Sequence, residues 1–375
     1  MPSKAEDKPI RVAFVIPHLE RGGVPIVVLD LANELTRRGY EVDLLALSGG
    51  GPLKDRAGAA VRVVDLDCHR VRYALPRLLG YLRAEAPRVI VGVTLPVNTL
   101  VILASLLMPF GRPRVIATEQ AAMRASATTW RDRVLLSLLP ATYRLPGQVV
   151  CCSEGIRREL IDDFGLPPRQ VATIHNAVVG PQALADLDRD PQDPWLAASE
   201  DPVVVTVGRL HAQKDQATLL RAFAKVLERR PARLLILGEG EDRAALEALA
   251  ARLGIAGRVH LPGYVFDALA CMKAAALFVL SSRYEGLPTV LIEALLCGLP
   301  IVSTDCEHGP REILQDGRYG TLVPVGDVEA LAAAMLAALA AERDPDGQRR
   351  RAMEFTVAQA ASRYEALFGA EGKRD

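Results

Sequence analysis

Ser281 to Asp305, SSRYEGLPTVLIEALLCGLPIVSTD, is the stretch on which the reading of this chain turns. The run LFVLSS (Leu277 to Ser282) has the length and apolar character of a buried strand. Gly286 and Pro288 interrupt it, so a helix is expected to begin near Thr289. Glu285 then lies on the loop at the carboxyl end of a strand, where open α/β sheets bind ligands. Glu293 follows about one turn inside the helix. Both carboxylates can face one cleft. The backbone N–H groups within Leu287 to Val290, which Pro288 lacks, lie at the start of that helix and favour a phosphate or another anion. One carboxylate is suited to accept hydrogen bonds from sugar hydroxyls, the other from a ribose diol. Taken alone, the spacing equally fits a solvated loop glutamate followed by a surface-helix glutamate.

Outward from this block, the second half of the chain alternates strand and helix patterns. VVVTVG is followed by a helix over Gln216 to Arg229, RLLILG by a helix over Ala244 to Leu253, and VHLPG, LFVLSS and PIVST continue the series. VVVTVG runs into GRLHAQKDQATLL, which puts Arg209 and Lys214 on the loop at the strand's carboxyl end. Two cations there can neutralise a diphosphate, Arg bidentately, although ordinary loop charges look the same. RLLILG runs into GEG, where Gly238 and Gly240 flank Glu239 and allow a tight turn and close approach of a ligand to the backbone. In RVHLPGYV, Pro262 and Gly263 bend the chain where backbone groups can hold a flat base. These signals fall on successive strand ends of one sheet edge and so converge on one site.

The first half alternates in the same way. RVAFVI reads as a strand, Ile26 to Arg38 as an amphipathic helix ended by Gly39, and EVDLLAL as the next strand. Short strand-like runs follow at Val61 to Leu66, Val89 to Val93, Val115 to Thr118, Val149 to Cys152 and Val171 to Ile174. Parallel strands need such crossovers, so the expected fold is α/β with two Rossmann-like domains facing a central cleft. The Asp/Pro-rich stretch between Ile174 and Val203 is the candidate linker, and an Ala/Leu helix and a segment around Phe355 to Phe368 close the chain. The first loop reads HLERGGVP, without the G-x-G-x-x-G that a nucleotide-binding dehydrogenase would carry.

A chain of 375 residues accommodates two domains of ordinary size, and 50% apolar with 24% charged residues is normal for a globular protein. Lys plus Arg and Asp plus Glu both total 45, so net charge names no partner. Arg70 to Arg144 nevertheless holds eleven arginines against Glu85, Glu119 and Asp132, a local excess of +8 that suits anionic lipid or phosphate. The six cysteines lack C-x-x-C spacing, which fits a reducing cytoplasm. The N-terminus shows no signal-peptide pattern. Val89 to Gly111 is uncharged, but Pro96, Asn98 and Pro109 interrupt it, and it reads as a buried strand and a helix rather than a membrane span.

GRLHAQKD, GEG and EGLPTVLIEALLCGLPIVSTD, in this order and spacing, resemble the retaining GT-B glycosyltransferases of the large bacterial family with the E-x7-E motif, family 4-like or group 1. The resemblance covers nearly the whole chain: IPHLERGGVPIVVLDLANELTRRGYEVDLLAL is similar to the family's first loop and helix, and VVCCSEGIRRELIDDFGLPPRQVATIHNAV to the end of its first domain. DCEHGPREIL looks like a bacterial subgroup that builds lipid-linked or surface glycans. The resemblance implies an acceptor-binding domain over 1–190, a nucleotide-sugar domain over 191–354 and a C-terminal helix over 355–375 that returns to the first domain. It implies that Arg209 and Lys214 neutralise the diphosphate, Glu285 contacts donor-sugar hydroxyls and Glu293 binds the ribose. Leu287, Pro288 and Thr289 would offer backbone amides, Gly22 and Gly23 would let the first loop close over the diphosphate, and Gly238, Glu239 and Gly263 would complete the donor site.

Further implications are a nucleotide-diphosphate sugar as donor, UDP-linked by preference, and a hexose or N-acetylhexosamine moved to a glycan or polyprenyl-linked acceptor. No cofactor, obligatory metal or nucleic-acid partner is expected, and the expected location is cytoplasmic with peripheral contact at an anionic membrane face. A sugar-nucleotide epimerase or a non-catalytic nucleotide-sugar-binding protein stays open as an alternative. Many relatives carry a first-domain histidine near the donor sugar, whereas here the segment reads ATEQAAM. Glu119 is therefore a candidate acceptor base or a loop-positioning residue, with His18 and His308 as other polar candidates. The segment Thr128 to Gly147, with Trp130 and leucines among arginines, reads either as a surface helix suited to a lipid-linked acceptor or as a core helix.

Overall fold

A computed structural model describes residues 9–369 apart from 69, 128, 146, 192, 198–200 and 267. The leading octapeptide read above for a leader, part of the Asp/Pro-rich stretch and positions 370–375 lie outside the described residues. The chain divides into two compact α/β units.

In the first unit, apolar runs rich in Val and Ile form inner strands buried on both faces, as a parallel sheet covered by helices requires, while the edge strands are partly exposed. The strands are β1 (Arg11–His18), β2 (Glu41–Ser48), β3 (Val61–Asp65), β4 (Val89–Val93), β5 (Arg114–Glu119), β6 (Gln148–Cys151) and β7 (Val171–Thr173), in the spatial order 3-2-1-4-5-6-7. Val12 of β1 pairs with Val42 of β2 on one side and Val89 of β4 on the other. The order reverses between β1 and β4, which puts a switch point at the carboxyl edge there. The helices are α1 (Gly23–Arg37), α2 (Leu75–Glu85), α3 (Leu95–Leu106), α4 (Met123–Ser126), α5 (Trp130–Thr142) and α6 (Glu154–Arg158).

The second unit, Val178–Thr356, opens with α7 (Pro181–Leu187) and α8 (Pro194–Ala197). It continues β8 (Val203–Val207), α9 (Gln216–Leu227), β9 (Arg233–Leu237), α10 (Arg243–Arg252), β10 (Val259–Gly263), α11 (Ala268–Lys273), β11 (Leu277–Leu280) and α12 (Thr289–Leu296). It ends with β12 (Ile301–Thr304), α13 (Pro310–Ile313), β13 (Thr321–Val323), α14 (Val328–Ala340) and α15 (Pro345–Ala352). Its parallel sheet has the order 10-9-8-11-12-13, and Phe223, Leu234, Ile236 and Met335 lie in its core. The last helix, α16 (Val357–Gly369), rejoins the first unit, where it packs on α1 and inserts Tyr364 and Phe368 into that core. Burying each such ring is worth roughly 1.5–3 kcal/mol.

The stretch expected to be a linker belongs in part to the second unit. The carbonyl of Phe355 accepts from the N–H groups of both Val178 (3.2 Å) and Val179 (3.1 Å), and α7 packs on α11. The division therefore falls after Ala177, ahead of the expected 190, because a seven-residue helix opened by Pro181 is too short to display a period. The uncharged stretch at Val89 forms β4 and α3, and among the described residues no helix is long and apolar enough to cross a membrane.

Candidate active site

The residues singled out in the second half lie at the carboxyl edge of the second sheet, on the loops that follow β8, β9, β10 and β11 and in α12. After β11 the chain turns through Ser281 to Pro288, and Pro288 precedes the first helical residue, Thr289. Glu285 is 6% exposed, and its Oε1 accepts hydrogen bonds from Lys214 Nζ (2.5 Å) and Ser282 Oγ (2.6 Å). The cation expected at a diphosphate and the carboxylate expected at a sugar are thus in direct contact.

The two loops that carry them are laced together. Ser281 Oγ donates to the Lys214 carbonyl (2.7 Å), Gln213 Nε2 to the Tyr284 carbonyl (2.9 Å) and the Arg283 N–H to the Gln213 carbonyl (2.8 Å). Asp215 caps α9 by accepting from the Thr218 N–H and hydroxyl, and it also accepts from Arg283 Nε at 3.1 Å. Lys214 is thereby fixed by its neighbour's cap. On the far side, the Glu285 N–H donates to the Glu307 carbonyl (3.2 Å), and Gly309 lies so close to Pro288 that an added Cβ would come within 2.4 Å of its Cδ. His308, in the same loop, has φ 64°.

Leu287 and Pro288 are buried, Thr289 half-buried and Glu293 a half-buried residue of α12. Arg209 is exposed on the β8 loop, where its carbonyl accepts from Gln216 Nε2 at 3.0 Å. Glu239 is exposed and its carboxylate grips Arg243 at 2.8 and 3.1 Å; that hydrogen bond holds its pKa below the ordinary value. Arg243 in turn donates to the Leu261 carbonyl (3.0 Å), and a Cβ at Gly263 would meet Glu239 Oε1 at 2.6 Å. Glu239 and Gly263 are therefore neighbours across two loops.

The GEG turn has a different physical basis from the one its sequence suggests. A Cβ on Gly238 would lie 2.0 Å from the Gly208 carbonyl oxygen, and one on Gly240 would lie 2.1 Å from that of Leu210. The backbones of the β8 and β9 loops occupy that space and bond to each other, Gly208 N–H to Leu237 O and Leu210 N–H to Glu239 O, both at 2.9 Å. Gly238→Ala is accordingly expected to destabilise the ligand-free protein by about 2 kcal/mol or more. An unchanged urea melt would show that the loops yield freely and return this glycine to ligand approach alone.

The remaining expected residues belong to the first unit. Gly22 has extended backbone and precedes Gly23, the first residue of α1; both are exposed. His18 Nδ1 accepts from the Glu20 N–H at 3.2 Å. Glu119, at the end of β5, is 3% exposed. Its Oε1 accepts from the Tyr143 hydroxyl and from Asn98 Nδ2 (2.7 Å), side chains that sequence reading missed because β5 meets them only through its flanking helices. Burial pushes this carboxyl up to about 7 against the opposing bonds from Tyr143 and Asn98. The geometry favours the positioning role over that of acceptor base, since the group is closed off from solvent.

The raised value has a consequence for stability. With an ordinary value of 4.5 in the unfolded chain, the folded protein holds an extra proton between pH 4.5 and about 7. Stability is therefore greatest below that window and falls as pH rises through it, by roughly 3 kcal/mol at about 1.4 kcal/mol per pH unit. Glu119→Gln, which mimics the protonated acid, is expected to flatten this slope. Urea melts of both proteins at several pH values check it, and parallel slopes would mean that the buried carboxyl does not titrate there.

Known proteins resemble this chain over most of its length. Residues 21–179 match the family described as Glycosyltransferase Family 4, and residues 201–341 match Glycosyl transferases group 1. A lipopolysaccharide core biosynthesis glycosyltransferase, LpsE of Rhizobium meliloti, is 31% identical over 321 residues, 84% of each chain. The N-acetylgalactosamine-N,N'-diacetylbacillosaminyl-diphospho-undecaprenol 4-alpha-N-acetylgalactosaminyltransferase of Campylobacter jejuni is 31% identical over 53% of this chain and 52% of its own. Among solved structures, Anabaena HepE in complex with UDP and glucose superposes with a TM-score of 0.78 at 18% identity, covering 96% of this chain and all of that one. Sucrose-phosphate synthase of Thermosynechococcus elongatus gives a TM-score of 0.80 at 20% identity, covering 96% and 98%. The two parallel-sheet units are those of the GT-B fold, and the chain belongs to the group 1, family 4 glycosyltransferases.

Proposed function

We propose that this glycosyltransferase moves a hexose or N-acetylhexosamine from a UDP-sugar to a glycan or polyprenyl-linked acceptor in bacterial surface-glycan synthesis, with retention of anomeric configuration. The observation that carries the reading is the contact between Lys214 and Glu285 at the carboxyl edge of the second sheet, beside the start of α12. Breaking the anomeric bond leaves charge on the departing diphosphate. Lys214, Arg209 and the amide N–H groups of Leu287 and Thr289 supply preorganised positive potential for it. Because Oε1 of Glu285 is already held by Lys214 and Ser282, its other oxygen is the natural acceptor for a sugar hydroxyl. Glu293 is assigned to the ribose.

For retention, the acceptor hydroxyl attacks the anomeric carbon on the face the diphosphate leaves, and its proton passes to the departing phosphate oxygen. Glu285 then orients the sugar and forms no bond to it. Glu119 holds the first-unit edge in place and takes no proton from the acceptor. The UDP and glucose in the HepE complex support the donor assignment, and the diphospho-undecaprenol in the name of the Campylobacter relative supports a lipid-linked acceptor.

The test is a thermal-shift series with UDP, GDP and ADP and their sugar conjugates, with and without chelator, followed by release of nucleotide from the best conjugate. The UDP series is expected to raise the melting temperature, and chelator to leave both readouts unchanged. A shift by another diphosphate series would replace the base; none at all from folded protein would overturn the donor site.

A further inference from the structure

The connections β4 to β5 and β5 to β6 step in the same direction across the first sheet, so right-handed crossovers put α3 and α5 on the same face. The two helices pack against each other. Their outer sides are apolar. Leu103 and Leu107 at the end of α3 are 46% and 55% exposed, and Phe110 just beyond is 86% exposed. On α5, Trp130, Val134 and Leu138 follow at intervals of four, in line along the helix, and are 70%, 48% and 53% exposed. Of the thirteen residues of α5, Leu139 alone is buried. Single exposed apolar side chains are ordinary, but six of them on two adjoining helices mark a contact surface.

Arginines frame it. Arg112 donates to the last carbonyls of α3, those of Ser105 (3.0 Å) and Leu106 (3.1 Å), and is itself exposed. Arg131 lies over the Trp130 ring at 5.5 Å, and Arg133 and Arg144 are exposed. Between positions 103 and 144 the chain carries six arginines and two acids. Of those acids, Glu119 is buried, and Asp132 is engaged in the cap of α5 with Thr129. Arg124 pairs with Asp163 at 3.4 Å, and the exposed Arg131, Arg133 and Arg144 beside the apolar side chains complement an anionic headgroup layer with hydrocarbon beneath it.

We propose that the α3–α5 face is the surface by which this enzyme rests on an anionic lipid bilayer, with Trp130 and Phe110 as its apolar anchors. Binding is read without donor or turnover, so its failure is separable from failure of the donor assignment.

The experiment uses the full chain with vesicles of phosphatidylcholine alone or of equimolar phosphatidylcholine and phosphatidylglycerol, followed by sedimentation and tryptophan emission. The protein is expected to pellet with the anionic vesicles, to be released by salt, and to show a blue shift that Trp130→Phe removes. The double variants Arg131→Gln/Arg133→Gln and Trp130→Ser/Leu138→Ser are expected to lower vesicle binding about tenfold or more, with unchanged melting temperature. Absence of pelleting with anionic vesicles, or equal binding by both variants, overturns the proposal. So does a dimer that Trp130→Ser/Leu138→Ser dissociates in a protein that ignores lipid, since a second copy would then cover the face.

Discussion

Glu285→Ala is expected to lower kcat/KM for sugar transfer by about a thousandfold or more, with a melting temperature close to that of the unaltered protein. The side chain sits under Lys214 and Ser282, so its removal takes the proposed sugar contact and also frees the lysine from its position. The fold should tolerate the change because Lys214, one-fifth exposed, can be solvated once its partner is gone. Glu285→Gln keeps an acceptor for Ser282 and loses the charge that holds the ammonium, and is expected to fall between the two. Released nucleotide and transferred sugar, measured on protein checked by circular dichroism, decide the matter. Turnover within tenfold of the unaltered enzyme would remove Glu285 from the reaction.

Lys214→Met should cost about a hundredfold to a thousandfold in kcat/KM, with a distinct signature in binding. A cation placed for the diphosphate contributes most where the ligand carries most charge. The preference for UDP over UMP should therefore collapse in this variant while uridine affinity changes little. Lys214 is set by the Asp215 cap and by the Ser281 hydroxyl on its carbonyl, so the neighbouring backbone is expected to stay in place without the ammonium. An unchanged UDP to UMP ratio, measured by calorimetry, would assign the lysine to supporting Glu285 alone.

The elements legible in the sequence are those with strong local punctuation. Val89–Val93, VIVGV, stands out as a β-branched run interrupted only by Gly92, and Gly286 and Pro288 mark the start of α12 at Thr289. The three residues of β13 and the seven of α7 span too few repeats to establish a period, so tertiary contacts reveal them. In the candidate site, residue types were readable but their neighbours were not. Lys214 and Glu285 lie 71 positions apart, and their contact is made by strand order rather than by spacing. Ser282 went unremarked as part of a strand, although the turn brings its hydroxyl back to Glu285. Glu119 reads as a strand-end carboxylate open to substrate until Asn98 and Tyr143, 21 and 24 positions away, close over it. The GEG glycines were read for the right property, close approach, but a neighbouring loop takes up the space assigned to a ligand.

The path of α16 bears on the order in which the chain matures at the ribosome. The second unit is continuous in sequence and holds all of its strands before Thr356, whereas the first lacks Tyr364 and Phe368 until Val357–Gly369 has been made. The part synthesised first is thus completed last, and a chain stopped just after Thr356 would present a finished second unit beside a first one with an open apolar groove on α1. A nascent chain of this kind depends on a helix made after the second unit to seal the first.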